Sequence, residues 1–187
     1  MELNETMLSS EEIFSGKVIR VHKDKVSLPD GGTSYREIVL HHGGVCVLPL
    51  TDQGEVIFVR QFRYAYGQTL LEIPAGKLEQ GEDPFACGVR ELKEETGGEA
   101  SLYTFLGELY PSPGYTNEVI HMYLATGLSF GEQSLDEDEF LELVKIPLDK
   151  AVEMVLSGEI KDSKTQTALL KTKLLYEAHK LPEVSQQ

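Results

Sequence analysis

The sequence predicts an α+β protein, a mixed sheet with helices packed on it, preceded by a separate antiparallel β appendage. Three observations carry this expectation. Alternating and β-branched segments parted by turn residues dominate up to residue 146. A single strongly capped helical segment, 84–96, interrupts them. Two further helical patterns, at about 148–156 and 163–180, close the chain. A length of 187 residues suits one domain with room for a subdomain, and the expected boundaries are 1–42 for the appendage, 43–181 for the main domain and 182–187 for a tail.

In order, 17–28 and 33–40 alternate around Pro29-Asp30-Gly31-Gly32, which is turn chemistry, so the chain opens with a hairpin that Gly43-Gly44 ends. Strands follow at 45–50 and 55–63, parted by Thr51-Asp52-Gln53-Gly54, and at 69–73, ahead of Pro74-Ala75-Gly76. Asp83 before Pro84 is a helix cap with proline at the first helical position, and Gly97-Gly98 stops that helix. Strands at 101–106, 118–125 and 140–146 complete the sheet.

Charge excludes some function classes. Lys plus Arg number 17 against 31 Asp plus Glu, a formal charge of −14, and a bare polyanion binder needs the opposite balance. No nucleic-acid partner is expected, although carboxylates that hold divalent cations still allow phosphate chemistry. No apolar run approaches a membrane span. Cys46 and Cys87 are too few for a disulfide framework or a four-ligand zinc site, and the acidic N-terminus does not resemble a secretory signal, so a cytoplasmic protein with reduced thiols is expected.

The helix at 84–96 carries the chemistry. At 100° per residue, Phe85, Val89, Leu92 and Thr96 share one side and are expected to face the sheet, with Glu91, Glu94 and Glu95 opposite. Carboxylates at i, i+3 and i+4 repel, and the last two lie near the negative end of the helix dipole. A solvated acidic face eased by the Arg90–Glu94 pair is one reading. A site for Mg²⁺ or Mn²⁺, hard ions that prefer carboxylate, carbonyl and water oxygens, is the other.

The wider context favours the metal. From Gly76 to Gly98 the sequence matches G-x5-E-x7-R-E-U-x-E-E-x-G-U, with U a bulky aliphatic, at every specified position but the last, where Gly98 stands. This resembles the Nudix box, and implies the Nudix α/β/α sandwich. The resemblance further implies that Glu91 and Glu95 are the main metal ligands, with Glu94 beside them and Glu82–Arg90 an orienting ion pair. These glutamates would be catalytic through the metal, which activates water and neutralises bridging phosphates.

Outside the box, Leu71-Glu72-Ile73-Pro74-Ala75-Gly76 resembles the L-E-x-P-A-G segment of ADP-ribose pyrophosphatases, in which the alanine carbonyl, here Ala75, joins the metal shell. Pro113, sixteen residues after Gly97, resembles the marker proline of the same subfamily, and Gln61-Phe62-Arg63 its phosphate-contacting element. The resemblance implies substrate contacts from Arg63, Glu72, Pro113 and Gly114. Arg36 and Glu37 would serve the adenine pocket across a homodimer interface formed by the N-terminal segment. It also places a catalytic glutamate in a mobile loop before a late strand. In the acidic run 136–139 the expected general base is Glu139, with Glu137 in reserve. The implied reaction is metal-dependent hydrolysis of ADP-ribose to AMP and ribose 5-phosphate. Another nucleoside diphosphate sugar, such as GDP-mannose, and a non-catalytic ADP-ribose-binding regulator stay open as alternatives.

Overall fold

The computed structural model describes residues 2–135 and 139–178. The expected tail at 182–187, and Asp136, Glu137 and Asp138 of the acidic run, lie outside the described residues. The chain forms two compact units, one of the described residues up to Gly43 with Tyr110–Val119, the other of Gly44–Leu109 with the described residues from Ile120 onward.

The first unit is a three-stranded antiparallel sheet in the order β1 (Thr6–Ser15), β2 (Arg20–Ser27), β3 (Thr33–Leu40). The expected hairpin is β2–β3, whose register runs unbroken from Arg20 opposite Leu40 to Ser27 opposite Thr33. β1 was not expected. All ten of its residues are exposed and two register shifts interrupt it, so it carries no alternation of buried and exposed positions for a sequence pattern to show. The Tyr110–Val119 segment joins this unit through β3, where the Val39 amide donates to the Tyr115 carbonyl at 2.7 Å and the His41 amide to Asn117 Oδ1 at 2.8 Å.

The second unit holds β4 (Gly44–Pro49), β5 (Glu55–Arg63), β6 (Gln68–Glu72), β7 (Ala75–Lys77), α1 (Pro84–Thr96), β8 (Gly98–Leu109), β9 (Ile120–Phe130), β10 (Glu142–Pro147), α2 (Leu148–Leu156) and α3 (Ser163–Glu177). One sheet runs β7-β4-β9-β8 and is mixed, since β4 and β9 are parallel and the other pairs antiparallel. The other runs β10-β5-β6. β4 is buried along its whole length, and its alternation divides the core. Cys46 and Leu48 pack with Met122, Leu124 and the α2 and α3 residues Leu148, Ala151, Ala168 and Leu169. Val45 and Val47 turn the other way, to Tyr123, Ala125 and the α1 residues Cys87 and Leu92. Helices therefore cover both faces, as in the expected sandwich. Among the described residues no helix is long and apolar enough to cross a membrane.

Candidate active site

α1 starts and stops where its caps dictate. Asp83 accepts from the Ala86 amide at 3.0 Å, Pro84 occupies the first turn, and Gly97, at φ 67°, ends the helix with its amide on the Lys93 carbonyl at 2.8 Å. The face that packs is only in part the expected one. Leu92 and Thr96 are buried as expected, but Phe85 and Val89 remain 46% and 36% exposed, and Cys87, Gly88, Glu91 and Glu95 turn inward as well. The reason is close approach at Gly88, where an added Cβ would lie 3.2 Å from Val45 and 3.3 Å from Val47. Bringing the helix down on Gly88 and Leu92 carries Glu91 and Glu95, one turn apart, to the sheet. Phe85 instead meets Tyr103 and Tyr123 edge-on at 5.3 and 5.9 Å.

Glu91 and Glu95 end at β7 with 8% and 2% exposure. Gly76 leaves room for this, because a Cβ there would overlap the Glu91 carboxylate. The Ala75 amide donates to Glu95 at 3.2 Å. No strand was read at Pro74-Ala75-Gly76, but Ala75 and Gly76 are strand residues paired with Cys46 and Val45. Burial raises the pKa of both carboxyls, and for Glu95 burial, then the charge of Glu91, pushes it up to about 8. Glu139 bears on both, raising each by its charge. Residues 131–134 are anchored on the end of α1. Gly131 and Ser134 donate to the Gly97 and Glu94 carbonyls at 2.8 and 3.0 Å, and the Gln133 amide donates to the Glu95 carbonyl.

Arg90 organises the acids on the open side. Its guanidinium forks onto Glu82 at 3.1 and 3.2 Å and reaches Glu91 at 2.8 Å and Glu94 at 2.9 Å. The first of these pairs holds the Glu82 carboxyl down at about 2. Cys87, one turn before Glu91, is buried, and burial raises its thiol to about 12, which makes it inert packing. Gly98, where the motif has an aliphatic, leaves no space for a side chain, since a Cβ would sit 2.7 Å from Thr96 Oγ1.

Among the described residues no three acidic, histidine or cysteine side chains already converge as a metal cage. The donor set nonetheless suits a hard divalent cation. Glu91 and Glu95 are buried one turn apart, burial raises both carboxyls, Arg90 reaches Glu91 but is shared with Glu82 and Glu94, and Gly76 makes space for the Glu91 carboxylate.

Arg63 lies at the end of β5, and its Nε and Nη2 both bind Glu72 at 2.7 Å. Glu72 was expected at the substrate, yet it is 1% exposed and turned inward, with Lys164 as its other partner. Lys164 was missed. It stands one turn before Ala168 on the buried stripe of α3, and a lysine on such a stripe was the available signal. Arg36, Glu37, Pro113 and Gly114 all belong to the first unit. Arg36 pairs with Glu5, Glu37 is exposed opposite Lys23, and Pro113-Gly114 is an exposed turn. His41 accepts from the Gly43 amide at 3.0 Å and lies 3.7 Å from Glu118, so it serves the same unit.

Comparison with known proteins agrees with this architecture. Residues 40–167 match the NUDIX domain, and residues 5–39 the nucleoside diphosphate sugar hydrolase N-terminal domain. An ADP-ribose pyrophosphatase of Bacillus subtilis (strain 168) is 47% identical over 169 residues, covering 89% of this chain and 91% of that one. A methanol dehydrogenase activator of Bacillus methanolicus is 45% identical over 167 residues, covering 88% and 90%. A crystal structure of an ADP compounds hydrolase superposes with a TM-score of 0.83 at 22% identity over 97% of this chain and 100% of that one, a likeness of fold. A domain match over most of the length, with relatives near half identical along almost all of it, makes the chain a member of the Nudix family.

Proposed function

We propose that the chain hydrolyses the pyrophosphate of ADP-ribose to AMP and ribose 5-phosphate, at a divalent metal centre on α1. The observation that carries this is the pair Glu91 and Glu95, one turn apart on α1, buried against Gly76 and Ala75 and raised in pKa chiefly by that burial. The substrate follows from the name of the Bacillus subtilis relative and from the L-E-x-P-A-G and Pro113 elements. Glu91, Glu95, Glu94 and the Ala75 carbonyl would hold the metal, with Mg²⁺ the expected ion and Mn²⁺ a substitute. When bound it supplies an acidified water and neutralises the bridging phosphates.

The chain's own groups do the rest. Arg90 holds Glu82 and steadies the acids beside it. Arg63 meets the phosphates, and Glu139 accepts the proton of the attacking water as the bridging P–O bond breaks. Arg36, Glu37, Glu72, Pro113 and Gly114 are assigned to the substrate side on the resemblance alone. The protein is taken to work in the cytoplasm as a homodimer joined through the N-terminal sheet, which is supported by the exposed Met7, Leu8, Ile13 and Phe14 of β1.

A panel of nucleoside diphosphate sugars and dinucleoside polyphosphates with Mg²⁺ tests the substrate. ADP-ribose should give the highest kcat/KM, and an advantage of about tenfold for GDP-mannose or a dinucleoside polyphosphate would overturn the assignment.

A further inference from the structure

The N-terminal turn of α3 carries a buried polar chain that ends on Arg63. Asp162 caps α3, accepting from the Thr165 amide at 2.9 Å and the Thr165 hydroxyl at 2.6 Å, and its other oxygen holds the Lys164 ammonium at 3.0 Å. Lys164 is buried, and it donates to Glu72 Oε2. Glu72, also buried, takes Arg63 on both oxygens. The backbone is held at the same place, because the amide of Ile73, next to Glu72, donates to Thr165 Oγ1 at 3.0 Å.

A buried lysine is costly unless its charge is matched, and this one is matched by two carboxylates. Burial alone would push Glu72 up, but Arg63 and Lys164 outweigh it and its carboxyl lies below the ordinary range. The charges along the chain alternate, Asp162, Lys164, Glu72, Arg63, and sum to zero. Apolar packing alone would not select such a chain in a core of this size. Its outer end, Arg63, is half-exposed and feels the charge of Glu95.

The side-on edge of the Arg63 guanidinium, Nε with Nη2, is committed to Glu72. An incoming oxyanion is therefore met by the Nη1 end, and the direction of that end is set by how Glu72 is held. Glu72 cannot turn while Lys164 grips Oε2, and Lys164 cannot turn while Asp162 grips it. We infer that Lys164 is a positioning residue, fixing Glu72 so that Arg63 presents its free end to the substrate phosphates. The inference rests on the reading of Arg63 as a phosphate contact.

A double-mutant cycle between Lys164→Met and Arg63→Ala tests it, with KM and kcat for ADP-ribose measured in Mg²⁺, and ADP-ribose affinity measured by calorimetry without added metal. Arg63→Ala should raise KM ~30-fold and Lys164→Met ~10-fold with kcat changed less than about threefold, and the double variant should match Arg63→Ala within about twofold. Affinity without metal should follow the same pattern. Full additivity would overturn the inference, because Lys164 would then act on substrate or fold independently of Arg63. So would a Lys164→Met effect confined to kcat or to thermal stability. If Arg63→Ala leaves KM and affinity unchanged, the phosphate role of Arg63 falls first and the inference with it. Should Lys164→Met not fold, Asp162→Asn replaces it in the cycle, since asparagine still caps the helix while releasing the ammonium.

Discussion

Burial, then the charge of Glu91, pushes the Glu95 carboxyl up to about 8 from its ordinary 4.5, against the hydrogen bond from the Ala75 amide and the charge of Lys164. A carboxyl raised in the folded state binds a proton that the unfolded chain has released. It contributes stability that is complete below 4.5 and lost as pH rises through about 8. Glu91 is raised too and acts in the same direction. Glu82, held down at about 2, loses its contribution only on strong acidification and does not disturb this window. The metal-free protein should therefore show a Tm that falls from pH 5 to pH 8, and added Mg²⁺ should raise Tm more at pH 8 than at pH 6 because it replaces the proton. Glu95→Gln should flatten the slope, weaken Mg²⁺ binding and remove most activity. A Tm independent of pH over that interval, or near-native turnover in the variant, would contradict the assignment.

At the scale of elements, α1 and residues 131–134 anchored on it act together. The length and caps of α1 follow from Asp83, Pro84 and Gly97, all local. Its packing face followed only in part from hydrophobicity, because Leu92 and Thr96 turn inward as expected but the same stripe contains Gly88 and two glutamates while Phe85 and Val89 stay outside. The carbonyls left open at the end of α1 hold Gly131, Gln133 and Ser134, and the charge of Glu139 raises both Glu91 and Glu95. Glu139→Gln should lower kcat by ~10²–10⁴ with KM and metal affinity little changed, as for loss of a general base. A loss of less than about fivefold, measured by steady-state kinetics, would send the proton elsewhere.

For the whole molecule, a three-stranded sheet with one entirely exposed edge strand has little core of its own. Met7, Leu8, Ile13 and Phe14 on that strand are exposed, and the proposed homodimer would bury them against a second copy of the chain. Sedimentation equilibrium should give a mass near twice 20.8 kDa. An active monomer at low micromolar concentration would exclude the dimer as the working unit. Removing residues 1–16, which takes away β1, should shift the population towards monomer with the second unit's core still folded, as read by far-UV circular dichroism.

Local chemistry was legible in the sequence wherever one segment decides the outcome. The caps of α1, the β2–β3 turn at Pro29–Gly32 and the motif from Gly76 to Gly97 each specify a short stretch of chain, and each was readable from residue types and spacing alone. What required the tertiary structure was every feature in which distant segments meet. The inward turn of Glu91 and Glu95 depends on β4 admitting Gly88, and the strand at Ala75–Lys77 depends on pairing with β4. The grip of Lys164 on Glu72 joins residues 92 positions apart. Periodicity reports which side of an element is apolar, but which side is buried is set by shape and by the partner available. A charged group can be buried there only because another segment brings the opposite charge to it.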